Sequence, residues 1–543
     1  MKRASYAIDG SSRHHKERHG HKKIVLGVIG IALVAVIGLG SYKLFWSKTP
    51  SEKIANGLQF AANITPSEKS DISAAIADQH LDSSGSSVKA ITSTTLSPDY
   101  PVLSAYVPVM NAYTTKLQIT SEELKQMPVS VPRGTPNIIQ SVIVKATGAQ
   151  SIKTLEAPVE QLPDDTLAFI PVSQLSDKVR LMSFDGSYYL DDFTKGAVFR
   201  QAVFSGGGND GLNNLKLTSL PHKDTTLKVN MTGVTALTRL MMRKLATTND
   251  PTYFSAKIGD FLKDADITHV SNEVSFKPGC TYSNDVFCSD PRFIETLKAS
   301  GVNLVELTGN HNNDTGNQYN TDTINEYHKL GWHTFGGGLN AQEAAKPYIA
   351  DQKGNKVAFL GYNYADSPSG GPIAKATTAG ANSFDFDKIK SDIEAAKQQG
   401  AYVIVDVQFW ECYSYPDGYV EFPICDQPIA DQQATFRKII DLGADMVIGT
   451  QAHQPQTYEL YKGKQIYYGL GNLYFEQIQW PGTERGIILT HYFVDGKLLQ
   501  TRLTPTIYDK DYQTHISTVD QSTYLLNRLK DARSAAGLNN PFN

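Results

Sequence analysis

The stretch Ile439-Ile440-Asp441-Leu442-Gly443-Ala444-Asp445-Met446-Val447-Ile448-Gly449-Thr450-Gln451-Ala452-His453 changes character twice. Its first part ends a helical pattern that starts at Asp431, and Gly443 supplies the left-handed residue that closes a helix after Leu442. Met446-Val447-Ile448 is then an apolar run too short for a helix and reads as a buried strand. Polar residues crowd its C-terminal end, where open α/β sheets place their sites.

The same order recurs on both sides of this stretch. Further buried-strand candidates are Leu227-Lys228-Val229-Asn230-Met231, Val302 to Leu307, Val357-Ala358-Phe359-Leu360 and Tyr402 to Val407. Helix candidates lie between them, at Tyr253 to Leu262, Pro291 to Ala299 and Asp385 to Gln399, with Gly301 and Gly400 closing the last two. Strands alternating with helices of this length predict sheets covered by helices. Tyr461-Lys462-Gly463-Lys464 and Val494-Asp495-Gly496-Lys497 predict hairpin turns.

Towards the N-terminus the composition shifts. Residues 1–23 carry seven Lys or Arg against two acids, so a chain of net charge -4 divides into a head of +5 and a remainder of -9. A basic head on an acidic body argues against a nucleic-acid partner. Ile24 to Tyr42 holds no charged residue, and 19 residues at about 1.5 Å each span roughly 28 Å, the thickness of a bilayer's hydrocarbon core. We therefore expect a single transmembrane helix with the N-terminus cytoplasmic and the body outside the cell membrane. Residues 43–95, rich in Ser, Thr, Ala and Asp, read as a stalk with one helix near Pro66 to Ile76. Residues 96–225, with apolar runs at Leu103 to Val109 and Leu167 to Val172, read as a small α/β domain, and the two runs resemble the second lobe of a periplasmic solute-binding protein. Residues 226–510 form the main domain, and 511–543 a helical extension. The four cysteines, Cys280, Cys288, Cys412 and Cys425, all fall in the exported part, where disulfides persist, and two local bridges are the simplest pairing. Zinc is the alternative, but neither pair has C-x2-C spacing.

Four polar clusters sit after the strands of the main domain: Ser271-Asn272-Glu273, Gly309-Asn310-His311-Asn312-Asn313-Asp314, Gly449 to His453, and Gly469-Leu470-Gly471-Asn472. The second and third resemble the G-N-H and G-H-x-H loops of metallophosphatase-fold proteins. All four, in this order and with Tyr468 to Gln477, resemble the bacterial capsule-synthesis CapA family, associated with poly-γ-glutamate capsules, from about residue 230 to 510. The resemblance implies a four-layer αββα sandwich on a membrane-anchored protein facing outward. It implies partnership with the membrane, with other membrane proteins of polymer synthesis or export, and with an anionic polymer.

The departures from the family pattern bear on mechanism. Where the family reads G-D-V-M-L-G-R, this chain has Gly233-Val234-Thr235-Ala236-Leu237-Thr238-Arg239, so the aspartate has become Val234. The family's H-W pair falls on Phe409-Trp410 or, one residue earlier, on Gln408. The first histidine of G-x-H-P-H is Gln451. A two-metal centre needs carboxylates to screen two cations, and Glu273 is the only one at a matched position. We expect no resident cofactor; a single weakly held divalent ion on Glu273, Asn310 and His453 is the one metal arrangement these residues leave open. Glu273 and His453 are the candidate acid/base pair. Asn272, Asn310, His311, Gln451, Asn472 and Trp410 are the candidate substrate-binding residues. Tyr362, Tyr364, Phe409, Tyr413, Tyr415 and Trp480 would join Trp410 in walling a groove for an extended polymer. The first reading is a binding or assembly component of polymer synthesis. The alternatives are a hydrolase or transferase acting on amide or phosphoester bonds in the same pocket, and a solute-binding or adhesion protein working through residues 96–225.

Overall fold

The computed structural model describes residues 57–207, 211–217, 220–282, 287–367, 371–412 and 425–538. The expected membrane helix at 24–42 lies outside them; among the described residues no helix is long and apolar enough to cross a membrane. Tyr413 and Tyr415 also lie outside.

The chain divides into two compact units, one reaching to Lys89 and including Val203–Leu217, the other formed by Ala90–Ala202 and Thr218–Asn543. In the first, where composition reads as a stalk, the helix Pro66–Asp78 is set by a capping box: Thr65 accepts from the Glu68 amide, and the Glu68 carboxylate accepts from the Thr65 amide at 2.8 Å. Ile72 and Ile76 bury one face of that helix. The strand Gln59–Phe60 pairs in parallel with Ser87 and Val88.

Two sheets dominate the second unit. One runs in the order His333–Phe335, Leu304–Glu306, Ile267–Asn272, Thr226–Met231, Arg485–Val494, Lys497–Tyr508, Thr514–Ile516, parallel over its first four strands and antiparallel after them. The other runs Tyr348–Gln352, Asn355–Asn363, Tyr402–Cys412, Met446–Ala452, Lys464–Leu470, Pro455–Tyr461, parallel at its centre and antiparallel at both edges. Period-two alternation decides which side chains go where. Val229, Leu304, Phe359, Ile404 and Ile448 belong to a single core drawn from both sheets. Val270 and Val305, on the opposite face, pack with Leu297 and Ile324 of helices. Val403, Val405 and Val447 pack with Ile389, Phe436 and Ile439 of the helices Phe386–Gln398 and Ala430–Asp441. The mixed α/β class is as expected.

Both predicted hairpins form, with Lys462-Gly463 and Asp495-Gly496 all at positive φ, the geometry that matches the twist of the flanking strands. The expected helix Tyr253 to Leu262 is instead a 3-10 turn, Pro251–Ser255, and a short helix, Gly259–Leu262. The reason is packing: a Cβ on Gly259 would lie 2.8 Å from the Ala299 carbonyl oxygen, and the segment bends to lie against that neighbouring helix. Cys280 and Cys288 are bridged, with Cα atoms 6.0 Å apart. Cys425 is disulfide-bonded too, while the side chain of its expected partner, Cys412, is not described.

Candidate functional site

The parallel strands of both sheets deliver their C-terminal ends to one polar cluster. Ile267–Asn272 leads to Glu273, Leu304–Glu306 to the loop at Gly309, Tyr402–Cys412 carries Gln408 and Glu411, and Met446–Ala452 carries Gln451 and leads to His453. Gly309 makes this convergence possible, because a Cβ there would fall 2.6 Å from the Glu273 Cα. The loop can lie directly on the Glu273 backbone only without a side chain.

Asn310 is the hub on the loop side. Its Oδ1 accepts from Gln408 Nε2 at 3.2 Å and from Gln451 Nε2 at 3.3 Å, and Gln451 Nε2 also donates to Glu411 Oε1 at 3.2 Å. Gln451 adopts a φ of 80°, unusual for a residue with a side chain, and its Oε1 is buried without a partner. His453 meets Asn472 Oδ1 through Nδ1 at 3.1 Å, and the Asn472 amide donates to Gln477 Oε1 and the Thr483 carbonyl. Burial lowers the His453 pKa. His311 pairs with Asp314 at 2.8 Å and lies 4.4 Å from the Phe287 ring, centre to centre.

Glu273 is the outlier. It is buried, and neither carboxylate oxygen has a hydrogen-bond partner. Burial raises its pKa well above the usual carboxylate range, and the charges of Glu411, Glu306, Asp366 and Asp314 push the same way.

Other expected residues make the following contacts. Asn272 spends its amide on the Val274 carbonyl and the Tyr327 hydroxyl, both at 2.9 Å. Tyr362 and Phe409 are buried in the core under the helices, and the Tyr362 hydroxyl donates to Asp392 at 2.7 Å, so neither walls a groove. Tyr364 stacks on Phe409 at 4.4 Å, and Trp410, 44% exposed, stands at the surface beside them. Arg239 sits under 6 Å from the ring centres of Phe287, Phe475 and Trp480, with Glu476 Oε1 3.7 Å from its Nε.

The metal expectation meets a physical test here. Val234 is fully buried with Ala236, Val274 and Phe475, so the position of the family aspartate is apolar. Among the described residues, Glu273 and His453 are not joined by a third His, Cys, Asp or Glu at ligand spacing. The donor set does not fit a two-metal centre. Glu411 is the residue of this cluster that the sequence reading missed; it stands one residue beyond Trp410, four residues past the Val407 at which the sequence places the end of the strand.

Comparison with known proteins agrees with this layout. Residues 228–477 match the family model described as bacterial capsule synthesis protein PGA_cap. The chain is 26% identical over 207 residues to the capsule biosynthesis protein CapA of Bacillus anthracis, covering 37% of this chain and 47% of that protein. It is 26% identical over 212 residues to the PGA biosynthesis protein CapA of Bacillus subtilis, covering 39% and 52%. A probable polyglutamine synthesis accessory protein of Mycobacterium tuberculosis is 27% identical over 193 residues, covering 34% and 48%. The chain thus spans about half the length of the curated relatives it matches. With four polar clusters in family order and a family match over the same residues, residues 228–477 of the chain are similar to the CapA family of bacterial capsule-synthesis proteins.

Proposed function

We propose that this protein is a membrane-anchored, outward-facing accessory of cell-surface polymer synthesis or export, and that its pocket binds an amide-linked polymer of the poly-γ-glutamate type. The observation that carries the reading is Glu273, a buried carboxyl group with both oxygens unpartnered. In its neutral form it donates a hydrogen bond to a carbonyl or carboxylate of the polymer, where an ionised group would repel a polyanion. Gln451 Oε1 and Asn312 Oδ1, also buried and unpartnered, are acceptors for amide N–H groups. A polyamide offers both complements in every unit. The names of the relatives, which refer to capsule, PGA and polyglutamine synthesis, support the same polymer class.

The shared core between the two sheets, with helices on their outer faces, supports the four-layer αββα arrangement of the metallophosphatase type. The uncharged run Ile24 to Tyr42 behind a basic head supports the anchor. The other membrane proteins of the polymer machinery are the partners this reading calls for.

The test is binding of fluorescent poly-γ-glutamate to the purified full chain in the presence of a chelator. We expect saturable binding, weakened at least tenfold by Glu273→Ala and retained by Glu273→Gln, whose amide keeps a donor. Absence of polymer binding, or chelator-sensitive hydrolysis of a model phosphodiester by the unaltered protein, would overturn the reading.

A further inference from the structure

On the faces that the two sheets turn to their common core, three ionisable side chains meet. They are His269 on Ile267–Asn272, Glu306 on Leu304–Glu306 and Asp406 on Tyr402–Cys412, and all are at most 1% exposed. His269 Nε2 lies 3.6 Å from Asp406 Oδ2 and 4.0 Å from Glu306 Oε2. One ligand atom from each of the three falls within 4.8 Å of the others. His269 Nε2, Glu306 Oε2 and both oxygens of Asp406 have no hydrogen-bond partner. Phe335 lies tilted against the His269 ring, 5.6 Å between centres, and Phe335, Phe359 and Ile404 belong to the same core.

Buried polar atoms left unpaired are costly to the fold, and four of them in one place call for a common partner. We propose that His269 Nε2, Glu306 Oε2 and Asp406 Oδ2 hold one divalent first-row metal ion, of the Zn²⁺ or Mn²⁺ class. Two carboxylates match the ion's charge, and one imidazole with two oxygens is a donor set such ions accept. Ligands about 2.0–2.2 Å from a zinc ion stand roughly 3.3–3.6 Å apart; the His269–Asp406 spacing already matches, the His269–Glu306 spacing must close by a few tenths of an ångström, and the whole set, within 4.8 Å, must draw together on binding. Thr308 Oγ1, and Thr450 Oγ1 at 3.4 Å, donate to Glu306 Oε1, which leaves Oε2 as the ligand atom and orients it. One contact opposes the arrangement: the Thr232 amide donates to His269 Nδ1 at 3.4 Å, and ligation through Nε2 puts the ring proton on Nδ1 and gives that long bond up.

The cluster also has a way in. The Thr308 hydroxyl, which donates to Glu306, lies 3.2 Å from Gln408 Oε1, and Gln408 donates to Asn310 at 3.2 Å, so polar side chains adjoin one another from Asn310 down to Glu306. The ion therefore sits one layer deeper than the loops that carry the family's motif, in a place that the loss of the aspartate at Val234 does not touch.

Metal content of the purified full chain, stripped with chelator and reloaded with Zn²⁺ or Mn²⁺ alone, tests the assignment. The expected result is one equivalent retained, an X-ray absorption spectrum of one nitrogen and carboxylate oxygen neighbours, and a rise in melting temperature on loading. Asp406→Asn and Glu306→Gln are each expected to weaken binding by at least about tenfold. Should those variants fail to fold, the absorption spectrum and melting shift of the unaltered protein carry the decision. A full chain that stays metal-free and melts at the same temperature with and without the ion would overturn the proposal, leaving a protonated, metal-free cluster. So would undiminished binding by a folded Asp406→Asn.

Discussion

Glu273 illustrates how a single carboxyl group can be costly to the fold and useful to the pocket. An unfolded chain releases this proton near the ordinary glutamate value of about 4.3, whereas burial makes the folded protein hold it to higher pH. Above that ordinary value the unfolded state binds fewer protons than the folded one, so the Glu273 contribution to stability falls as pH rises, until the folded group itself ionises. Glu273→Gln removes the titrating group and leaves its shape. We expect the variant to be more stable than the unaltered protein at neutral pH, by on the order of 1–3 kcal/mol, with the difference closing near pH 4. Thermal unfolding across pH 4 to 8 measures this. Equal stability at pH 7.5 would mean that the carboxylate is satisfied in solution, and the donor role assigned to it would go with it. A residue that destabilises its own domain is retained for what it does, which is why stability and polymer binding should move in opposite directions in Glu273→Ala.

The loops hold such residues because the strands bring them close, and Gly309 is where that closeness is tightest. In Gly309→Ala the new methyl would fall 2.6 Å from the Glu273 Cα and 3.1 Å from its Cβ, so the loop carrying Asn310 must lift. The expected cost is about 1–3 kcal/mol, as for other overpacked sites, together with loss of polymer binding. Gly400 is the control: it has a φ of 76° with nothing within 4 Å, so alanine there should cost about 1 kcal/mol through backbone conformation alone and leave binding intact. Chemical denaturation of both variants separates the two causes, and similar losses of binding would refute the packing argument. The strands and hairpins behind these loops were legible in the sequence because Met446-Val447-Ile448 and Asp495-Gly496 obey local rules. The break before Gly259 was not, since it answers to a carbonyl on a helix some 40 residues further along the chain. The buried cluster was half visible: Glu306 and Asp406 interrupt apolar strand runs on the core-facing register, but pairing them with His269 needs the stacking of two sheets, which no local pattern encodes.

Across the whole chain, charge and sulfur chemistry make one statement about compartment. The head of +5 precedes the uncharged run Ile24 to Tyr42, and the body of -9 follows it; if that run is the anchor proposed above, the positive-inside rule predicts residues beyond Tyr42 on the outside. The Cys280–Cys288 bridge lies in that body, and Cys425 is bonded as well; closing so short a loop contributes roughly 2–3 kcal/mol in the chain-entropy model and persists in an oxidising compartment. Both arguments predict the same result by independent routes. Protease added to intact cells should remove nearly all the mass beyond Tyr42 and leave a short membrane-bound fragment. Peptides recovered without reduction should show Cys280 joined to Cys288 and Cys412 to Cys425. The two readouts can also disagree, which gives the test its force. A protected body with intact bridges would place the protein in another oxidising compartment. A protected body with free thiols would put it on the cytoplasmic side and remove the access to surface polymer that the binding role requires.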